Sequence, residues 1–292
     1  MMLMDNRIAQ NSLINRFIAT TVGLMLGFLT CFAQKEVLYK RVDSSTLFMK
    51  VFFPDTMNKL GNYPAIVFFH GGGWQGGTKN QFYNQAQYFS KRGLVCFLVD
   101  YRTEDKNHTT PFESLKDAKS SIRFIRKNAY DFGVDPAKIV ASGGSAGGQL
   151  AAATALINDY NEASDDLSIS CKPDALILFN PVIDNGPGGY GYERIGDKYK
   201  SFSPLHNITK GAPPTIIFLG TNDVLIPVET IQYYKKVMEK LKSICVLKLY
   251  DGQGHGFFNY SHFDNYKSTL FESDIFLQSL RYLNKEPVIE IK

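Results

Sequence analysis

The sequence lacks the features that mark several classes of protein. It has four cysteines in 292 residues and no CxxC pair, which excludes a disulfide scaffold and a zinc ribbon. No run of Lys or Arg exceeds two residues and the formal net charge is only +4, so nucleic acid is not expected as a partner. With 44% hydrophobic and 21% charged residues, the composition is that of a globular protein and excludes disordered, collagen-like and coiled-coil chains.

The one long apolar run lies at the very start of the chain. Residues 17–33 carry no charge, Arg7 and Arg16 precede them, and Ala33 stands before a polar segment. A positive flank, a short apolar stretch and a small residue at its exit are typical of a secretory signal peptide. We therefore expect residues 1–33 to be removed and the product to be secreted or periplasmic. An uncleaved anchor, or lipid attached at Cys31, is the alternative, and either would hold the protein at a membrane.

After this start, short apolar runs alternate with helix-like stretches. Residues 37–54 alternate apolar and polar side chains and predict two antiparallel strands. Continuous apolar runs of the kind buried in a parallel sheet follow at residues 65–70, 94–99, 139–141, 175–179, 215–219 and 245–249. Helices are predicted at residues 81–92, 111–130, 146–158, 227–241 and 265–283. The alternation predicts an α/β fold with a mostly parallel central sheet and helices on both faces.

One long irregular stretch, residues 181–214, is rich in Gly, Pro and Tyr. Because a long loop inside a domain usually serves function, we expect an insertion here that partly covers the site. Residues 34–292 are otherwise predicted to form a single domain. Cys96 and Cys245 lie in apolar runs and are interpreted as small buried hydrophobic residues.

Ser145 is the sharpest functional signal. Gly143-x-Ser145-x-Gly147 lies between a predicted strand and a predicted helix, which is the setting of a nucleophile elbow. The two glycines leave room for a tight turn, and the helix N-terminus favours negative charge developing at the serine. A phosphate cradle is the alternative, but the loop around Ser145 matches neither GxGxxG nor GxxxxGK[ST].

Two further strand ends supply a base and an acid. Asp223 follows a predicted strand, and His255 lies in a glycine-flanked loop after the last one. His255 would be the general base, and Asp223 would orient it and stabilise the imidazolium. Asp251 and Asp184 are weaker rivals for the acid. Asp223 has an alternative role as a cap of the helix that follows it.

The HGGG segment, residues 70–73, follows the first predicted parallel strand. Acyl transfer needs N–H donors aimed at the oxyanion, and glycines let the backbone approach a substrate without a Cβ in the way. We predict an oxyanion hole formed by the N–H groups of Gly72, Gly73 and Ala146, the last following the nucleophile. His70 is expected to shape the segment rather than to act as the base.

Together these motifs resemble α/β-hydrolases of the hormone-sensitive-lipase-like and acetyl-esterase group, in particular bacterial secreted feruloyl-esterase-like carbohydrate esterases. The resemblance spans residues 35–285 and rests on HGGGW at 70–74, DYR at 100–102, GGSAGG at 143–148, GTND at 220–223 and HGF at 255–257. It implies Ser145 as nucleophile, His255 as base and acid, and Asp223 as orienter, in the family's chain order. Many relatives carry an acidic residue where this chain has Gly144. Lipase-like relatives also carry a helical N-terminal cap, whereas the residues before His70 in this chain are predicted to form strands.

The favoured hypothesis is a serine carboxylesterase that hydrolyses short acyl esters, acetyl first, on carbohydrates, with no metal or organic cofactor. A site without a helical cap would admit the bulky leaving group of a small-molecule or oligosaccharide ester. Three aromatic residues are predicted to contact the substrate, with loop packing as an equal alternative: Trp74, Tyr190 and Tyr192. A feruloyl-type esterase, a serine peptidase and a non-catalytic carbohydrate-binding protein are the competing hypotheses, and the oligomeric state is open.

Overall fold

The computed structural model describes residues 34–55, 57, 61–284 and 290; the predicted signal peptide lies outside them. Within this part of the chain one sheet has the strand order β1-β2-β4-β3-β5-β6-β7-β8. Its strands are β1 (Gln34–Val42), β2 (Ser45–Phe52), β3 (Tyr63–Phe69), β4 (Val95–Val99), β5 (Val134–Gly144), β6 (Ala175–Phe179), β7 (Thr215–Gly220) and β8 (Cys245–Tyr250). The β1–β2 and β2–β4 pairs are antiparallel and the others are parallel. The predicted mostly parallel sheet with N-terminal antiparallel strands is confirmed.

Helices connect the strands and cover both faces of the sheet. The α-helices of the described residues are α1 (Tyr83–Lys91), α2 (Glu104–Asn107), α3 (Pro111–Lys127), α4 (Ala146–Leu156), α5 (Tyr192–Ile195), α6 (Tyr199–Phe202), α7 (Val228–Lys240) and α8 (Phe263–Ser279). Short 3₁₀ helices lie at Lys79–Phe82, Gly196–Lys198 and Pro204–Asn207. The five predicted helices are all present, with every end within four residues of the predicted one.

The sheet separates two apolar cores because successive side chains of a strand point to opposite faces. In β3, Val67 and Phe69 enter the core that is covered by α3, α4 and α7. Ile66 and Phe68 enter the core that is covered by α1 and α8. All residues of β4 and β6 are buried, as expected for strands covered on both faces. The loops at the strand ends therefore extend from a sheet that is packed on both faces.

The insertion, residues 181–214, is more regular than predicted. It contains α5, α6 and two of the 3₁₀ helices. Ile195 and Phe202 are buried, and the Phe202 carbonyl accepts a hydrogen bond from Gln149 Nε2 at 3.1 Å. These contacts attach the insertion to α4, which begins directly after Ser145.

Two further sequence expectations concern membranes and thiols. None of the helices in the described ranges is long and apolar enough to cross a membrane. Cys96 and Cys245 are free and buried, as predicted, and burial raises the pKa of the Cys245 thiol to about 12. These two cysteines are therefore unreactive core residues.

Candidate active site

Polar side chains and glycines collect where the parallel strands end. The glycine loop, residues 71–77, follows β3, Ser145 follows β5, and Asn180 follows β6. Asp223 and His255 come after β7 and β8. The carboxyl ends of parallel strands share one edge of the sheet, where open α/β proteins bind ligands. A cleft of about 350 Å³ lies at this edge, and both Ser145 and His255 line it.

Ser145 stands on a strained turn between β5 and α4. Its backbone has φ 54° and ψ −120°, a region that non-glycine residues rarely adopt. The turn closes only because its neighbours are small: a Cβ on Gly143 would overlap the Gly147 carbonyl, and a Cβ on Gly147 would overlap the Phe69 carbonyl. The backbone N–H of Ser145 donates to the Phe179 carbonyl at 2.9 Å. The serine is thus held at the N-terminus of α4, as a nucleophile elbow requires.

Gly144 has a steric reason to be glycine in this chain. A Cβ at this position would lie 2.5 Å from the Phe258 ring. That ring is stacked 4.7 Å from Phe179 and 5.6 Å from Phe82. Aromatic packing therefore occupies the space that an acidic side chain would need.

The structure brings Ser145, His255 and Asp223 into one hydrogen-bonded line. His255 Nε2 lies 2.9 Å from Ser145 Oγ, and His255 Nδ1 lies 2.8 Å from Asp223 Oδ2. The Asp223 side chain is fully buried, whereas that of His255 is 23% exposed. An Nδ1–H donated to the carboxylate leaves Nε2 free to accept the serine proton.

Asp223 also fills the capping role that was its alternative. Its Oδ1 accepts the backbone N–H groups of Leu225 and Ile226 at 2.9 and 3.0 Å. One carboxylate oxygen therefore organises the turn before α7, while the other faces His255. The rival acids bond elsewhere: Asp251 accepts from the Thr221 hydroxyl, and Asp184 from the Gly186 N–H.

The predicted oxyanion hole consists of three backbone N–H groups. Two of them belong to Gly72 and Gly73, whose φ of +122° and +64° lie in the region that favours glycine. Among the described residues, the N–H groups of Gly72, Gly73 and Ala146 donate to no protein acceptor. An oxyanion hole requires N–H donors without a protein acceptor, and these three groups meet that requirement.

His70 supports the glycine loop from below. Its ring is buried and stacked on Tyr101 at 4.2 Å. Its Nδ1 lies 2.7 Å from the Gly71 carbonyl. Burial lowers the pKa of His70 to about 4, so the ring is neutral near pH 7 and donates its Nδ1–H to that carbonyl. This geometry is that of a residue that shapes the loop.

Three polar residues at the site were missed by the sequence reasoning. The Asn180 amide nitrogen lies 3.0 and 3.2 Å from the two ring nitrogens of His255. Gln81 accepts the Gly71 N–H at 2.7 Å and donates to Asn259 Oδ1 at 3.0 Å. It thereby links the glycine loop to the loop that carries His255. Each is an isolated polar residue, and the only local signal is the place of Asn180 at the end of an apolar run.

The three predicted substrate-binding aromatics separate in the structure. Tyr190 lines the cleft and Tyr192 does not; Tyr192 packs edge-on against Tyr199. Trp74 is only 1% exposed, and its Nε1 donates to Gln149 Oε1 at 3.3 Å. Its expected role in stacking on substrate is therefore corrected for the cleft: Trp74 is a nearly buried residue that does not line the cleft and borders only a neighbouring cavity.

A second cavity of about 330 Å³ lies next to the cleft. Its polar lining consists of Glu104, His108, Thr109, Thr110 and Arg194. Arg194 contacts both Gly73 and Tyr190, which line the cleft, so the two cavities are neighbours. In the described part of the chain, no group of three His, Cys, Asp or Glu side chains is placed to hold a metal ion.

The fold and the comparisons with known proteins define the class. The chain belongs to the esterases of the α/β-hydrolase fold, which are carboxylic ester hydrolases. The BD-FAE family model matches residues 49–187, and the dienelactone hydrolase family model matches residues 180–275.

Individual relatives support this assignment. The structure of Thermogutta terrifontis esterase 2 phosphoramylated by tabun is 41% identical, with a TM-score of 0.84 over 88% of this chain and 98% of that one. The propionate-bound form is 40% identical, with a TM-score of 0.82 over 88% and 98%. The acetylxylan esterase of Xylanibacter ruminicola is 27% identical over 254 residues, which are 80% of this chain and 49% of that protein. The chain spans about half the length of the curated relatives it matches.

Proposed function

We propose that this chain is a serine esterase that removes short acyl groups, acetyl first, from carbohydrates. The observation that carries the proposal is the hydrogen-bonded line from Ser145 through His255 to Asp223, at 2.9 and 2.8 Å. It stands beside three backbone N–H groups that have no acceptor among the described residues. A nucleophile, a base with its orienting acid, and an oxyanion hole are the parts that acyl transfer requires.

The mechanism follows from this geometry. Ser145 Oγ attacks the ester carbonyl while His255 Nε2 accepts its proton. The oxyanion of the tetrahedral intermediate accepts hydrogen bonds from the N–H groups of Gly72, Gly73 and Ala146. His255 then protonates the departing alkoxide, and water repeats the sequence on the acyl-enzyme. Asp223 keeps the imidazole in the required tautomer and stabilises its charged form.

The substrate class rests on the surroundings of the serine. Thermogutta terrifontis esterase 2 has been solved with propionate and with butyrate bound, which favours a short acyl group here. The neighbouring cavity with its hydroxyl, carboxylate and guanidinium lining favours a polar leaving group such as a sugar. The similarity to an acetylxylan esterase points the same way.

A feruloyl-type esterase is the second candidate. Tyr190 lines the cleft and offers an aromatic ring to an aromatic acid, and the BD-FAE model matches residues 49–187. Hydrolysis of methyl ferulate faster than of acetate esters would favour this candidate.

The substrate proposal is tested with aryl esters from acetate to dodecanoate, acetylated xylo-oligosaccharides and methyl ferulate. We expect acetate esters to turn over fastest and acetylated oligosaccharides to be substrates. Ser145→Ala should lower kcat by about 10⁶-fold and abolish labelling by a fluorophosphonate probe. Ser142→Ala is the matched control, because Ser142 lies on β5, just before the turn that carries Ser145, and its hydroxyl has no hydrogen bond in the described chain. Preference for long acyl chains, or unchanged turnover in Ser145→Ala, would contradict the proposal.

Export belongs to the same proposal, because polymeric sugar esters lie outside the cell. N-terminal sequencing of protein expressed from the full chain should begin at Gln34. A mature protein that still begins at Met1 would contradict cleavage.

A further inference from the structure

The glycine loop has no regular secondary structure, so each of its carbonyl groups needs a separate partner. Four of the carbonyls of residues 71–75 accept hydrogen bonds from the loop itself or from segments closer to it in sequence than the insertion. The Gly71 carbonyl accepts from His70 Nδ1, and the Gly72 carbonyl accepts from the backbone N–H groups of Gln75 and Gly76. The Trp74 and Gln75 carbonyls accept from the backbone N–H groups of Glu104 and Asp105, respectively. The Gly73 carbonyl differs, because it accepts from the Arg194 guanidinium. Arg194 belongs to the insertion, which is distant in sequence.

Arg194 is held in place before any substrate arrives. Its guanidinium carbon lies 5.3 Å from the centroid of the Trp74 ring and 5.4 Å from that of Tyr190. Its Nε donates to Glu193 at 3.0 Å, and its side chain is 18% exposed. The two ring centroids lie 6.1 Å apart, so the planar guanidinium contacts two adjacent aromatic rings and keeps its orientation at little entropic cost.

The insertion approaches the glycine loop closely beside this side chain. A Cβ on Gly191, just before α5, would lie 2.9 Å from Trp74 Cζ3. A Cβ on Gly73 would lie 2.6 Å from the Tyr190 hydroxyl. The insertion and the glycine loop are therefore in close contact at Gly191 and at Gly73.

We infer that Arg194 is a positioning residue for the oxyanion hole, acting through the Gly73 carbonyl. Gly73 contributes one of the three free N–H groups, and its φ of +64° lies in a region where glycine moves freely. A hydrogen bond to its carbonyl fixes the orientation of that residue and hence the loop that carries the donors. Arg194 then accelerates the steps in which the oxyanion forms without touching the reacting atoms of the ester. This inference rests on the proposed esterase function.

Arg194→Ala tests the inference with an aryl acetate as substrate. We expect kcat to fall about tenfold, less than the 10²–10³-fold loss caused by removing an oxyanion donor outright, with KM nearly unchanged. The affinity for a trifluoromethyl ketone, which adds to serine as a tetrahedral oxyanion, should fall by the same factor. Added methylguanidinium should restore part of the lost kcat, and Arg194→Lys, which keeps a donor, should lose less.

Lys198→Ala is the matched control. Lys198 lies on the same insertion, 5.2 Å over the Phe112 ring, so its loss removes a cation–π contact away from the glycine loop. We expect its kcat and ketone affinity to equal those of the wild type. Unchanged kcat in Arg194→Ala, an equal loss in Lys198→Ala, or a loss that methylguanidinium does not restore would overturn the inference. If the wild type hydrolyses no ester, the proposed function itself has failed. If the wild type hydrolyses esters and Arg194→Ala does so equally fast, the inference fails and the proposed function stands.

Discussion

Asp223 and Asp117 are both buried carboxylates with a nitrogen partner 2.8 Å away. Asp223 meets His255, whose side chain is 23% exposed at the cleft. Asp117 meets Arg102, whose side chain is 3% exposed, and Lys40 at 2.6 Å. Asp117 is also bound by the backbone N–H of Arg102 at 2.9 Å. At one site the partner is an imidazole that reaches solvent at the cleft, and at the other the partners are two buried cationic side chains.

The comparison shows that distance and burial alone do not identify a catalytic acid. Lys40 lies on β1 and Asp117 on α3, and Glu162 accepts from both Lys40 and Arg102 at 2.9 and 2.8 Å. The cluster therefore joins the N-terminal strands to the helical layer. The Asp223 pair differs because its partner is an imidazole, which in the proposed mechanism accepts and returns a proton.

Asp223→Asn should remove the activity that we assign to the Asp223–His255 pair. The amide cannot hold the productive tautomer of His255, so kcat should fall about 10⁴-fold. The melting temperature should change little, since an Asn oxygen still accepts from Leu225 and Ile226. Steady-state kinetics with thermal denaturation measures both, and the rival Asp251→Asn should keep full activity. Wild-type kcat in Asp223→Asn would contradict the assignment.

Asp117→Asn should destabilise the fold without affecting the site. Two cations would lose their shared carboxylate, so the free energy of unfolding should fall by about 3–5 kcal/mol, while kcat per folded molecule stays near that of the wild type. Urea denaturation gives the free energy. Asp43→Asn is the control: Asp43 also pairs with Arg102, but its side chain is 80% exposed, so its loss should cost about 0–1 kcal/mol. Equal losses in the two variants would refute the role of burial.

His70 sharpens the comparison, because it is a buried imidazole without a carboxylate partner. Its pKa is lowered by burial from 6.5 to about 4, so between these values the unfolded chain binds a proton that the folded chain does not. Stability should therefore fall as pH drops through this window, by up to about 3 kcal/mol. Unfolding free energies measured from pH 7 to pH 4 should show a shallower fall in His70→Asn. The exposed His262→Asn should keep the wild-type slope, and a slope unchanged in both would be the contrary result.

The sequence contained the parts of the fold and site that depend on local pattern. Continuous apolar runs predicted the parallel strands because a strand buried on both faces has no polar side. Ser145 and His255 could be picked out because each is flanked by glycines at a strand end. Asp223 followed from its place after β7.

What the sequence did not contain are contacts between distant segments. Lys40 and Asp117 are 77 positions apart, and nothing near either residue indicates the other. Asn180 and Gln81 reach the site only because the sheet brings their loops together. Trp74 beside the glycines looked available to a substrate, but the insertion covers it. Helices of four residues such as α5 and α6 are too short to show a helical period.

The backbone of Ser145, at φ 54°, has a consequence for how such a protein evolves. A residue in this conformation lowers the stability of the fold by about 1–3 kcal/mol, and glycine at the same position would relieve that strain. Selection for thermal stability alone would therefore drive the position away from serine. A protein that only bound carbohydrate would be more stable with glycine in place of Ser145. The proposed esterase needs the serine hydroxyl despite this loss of stability.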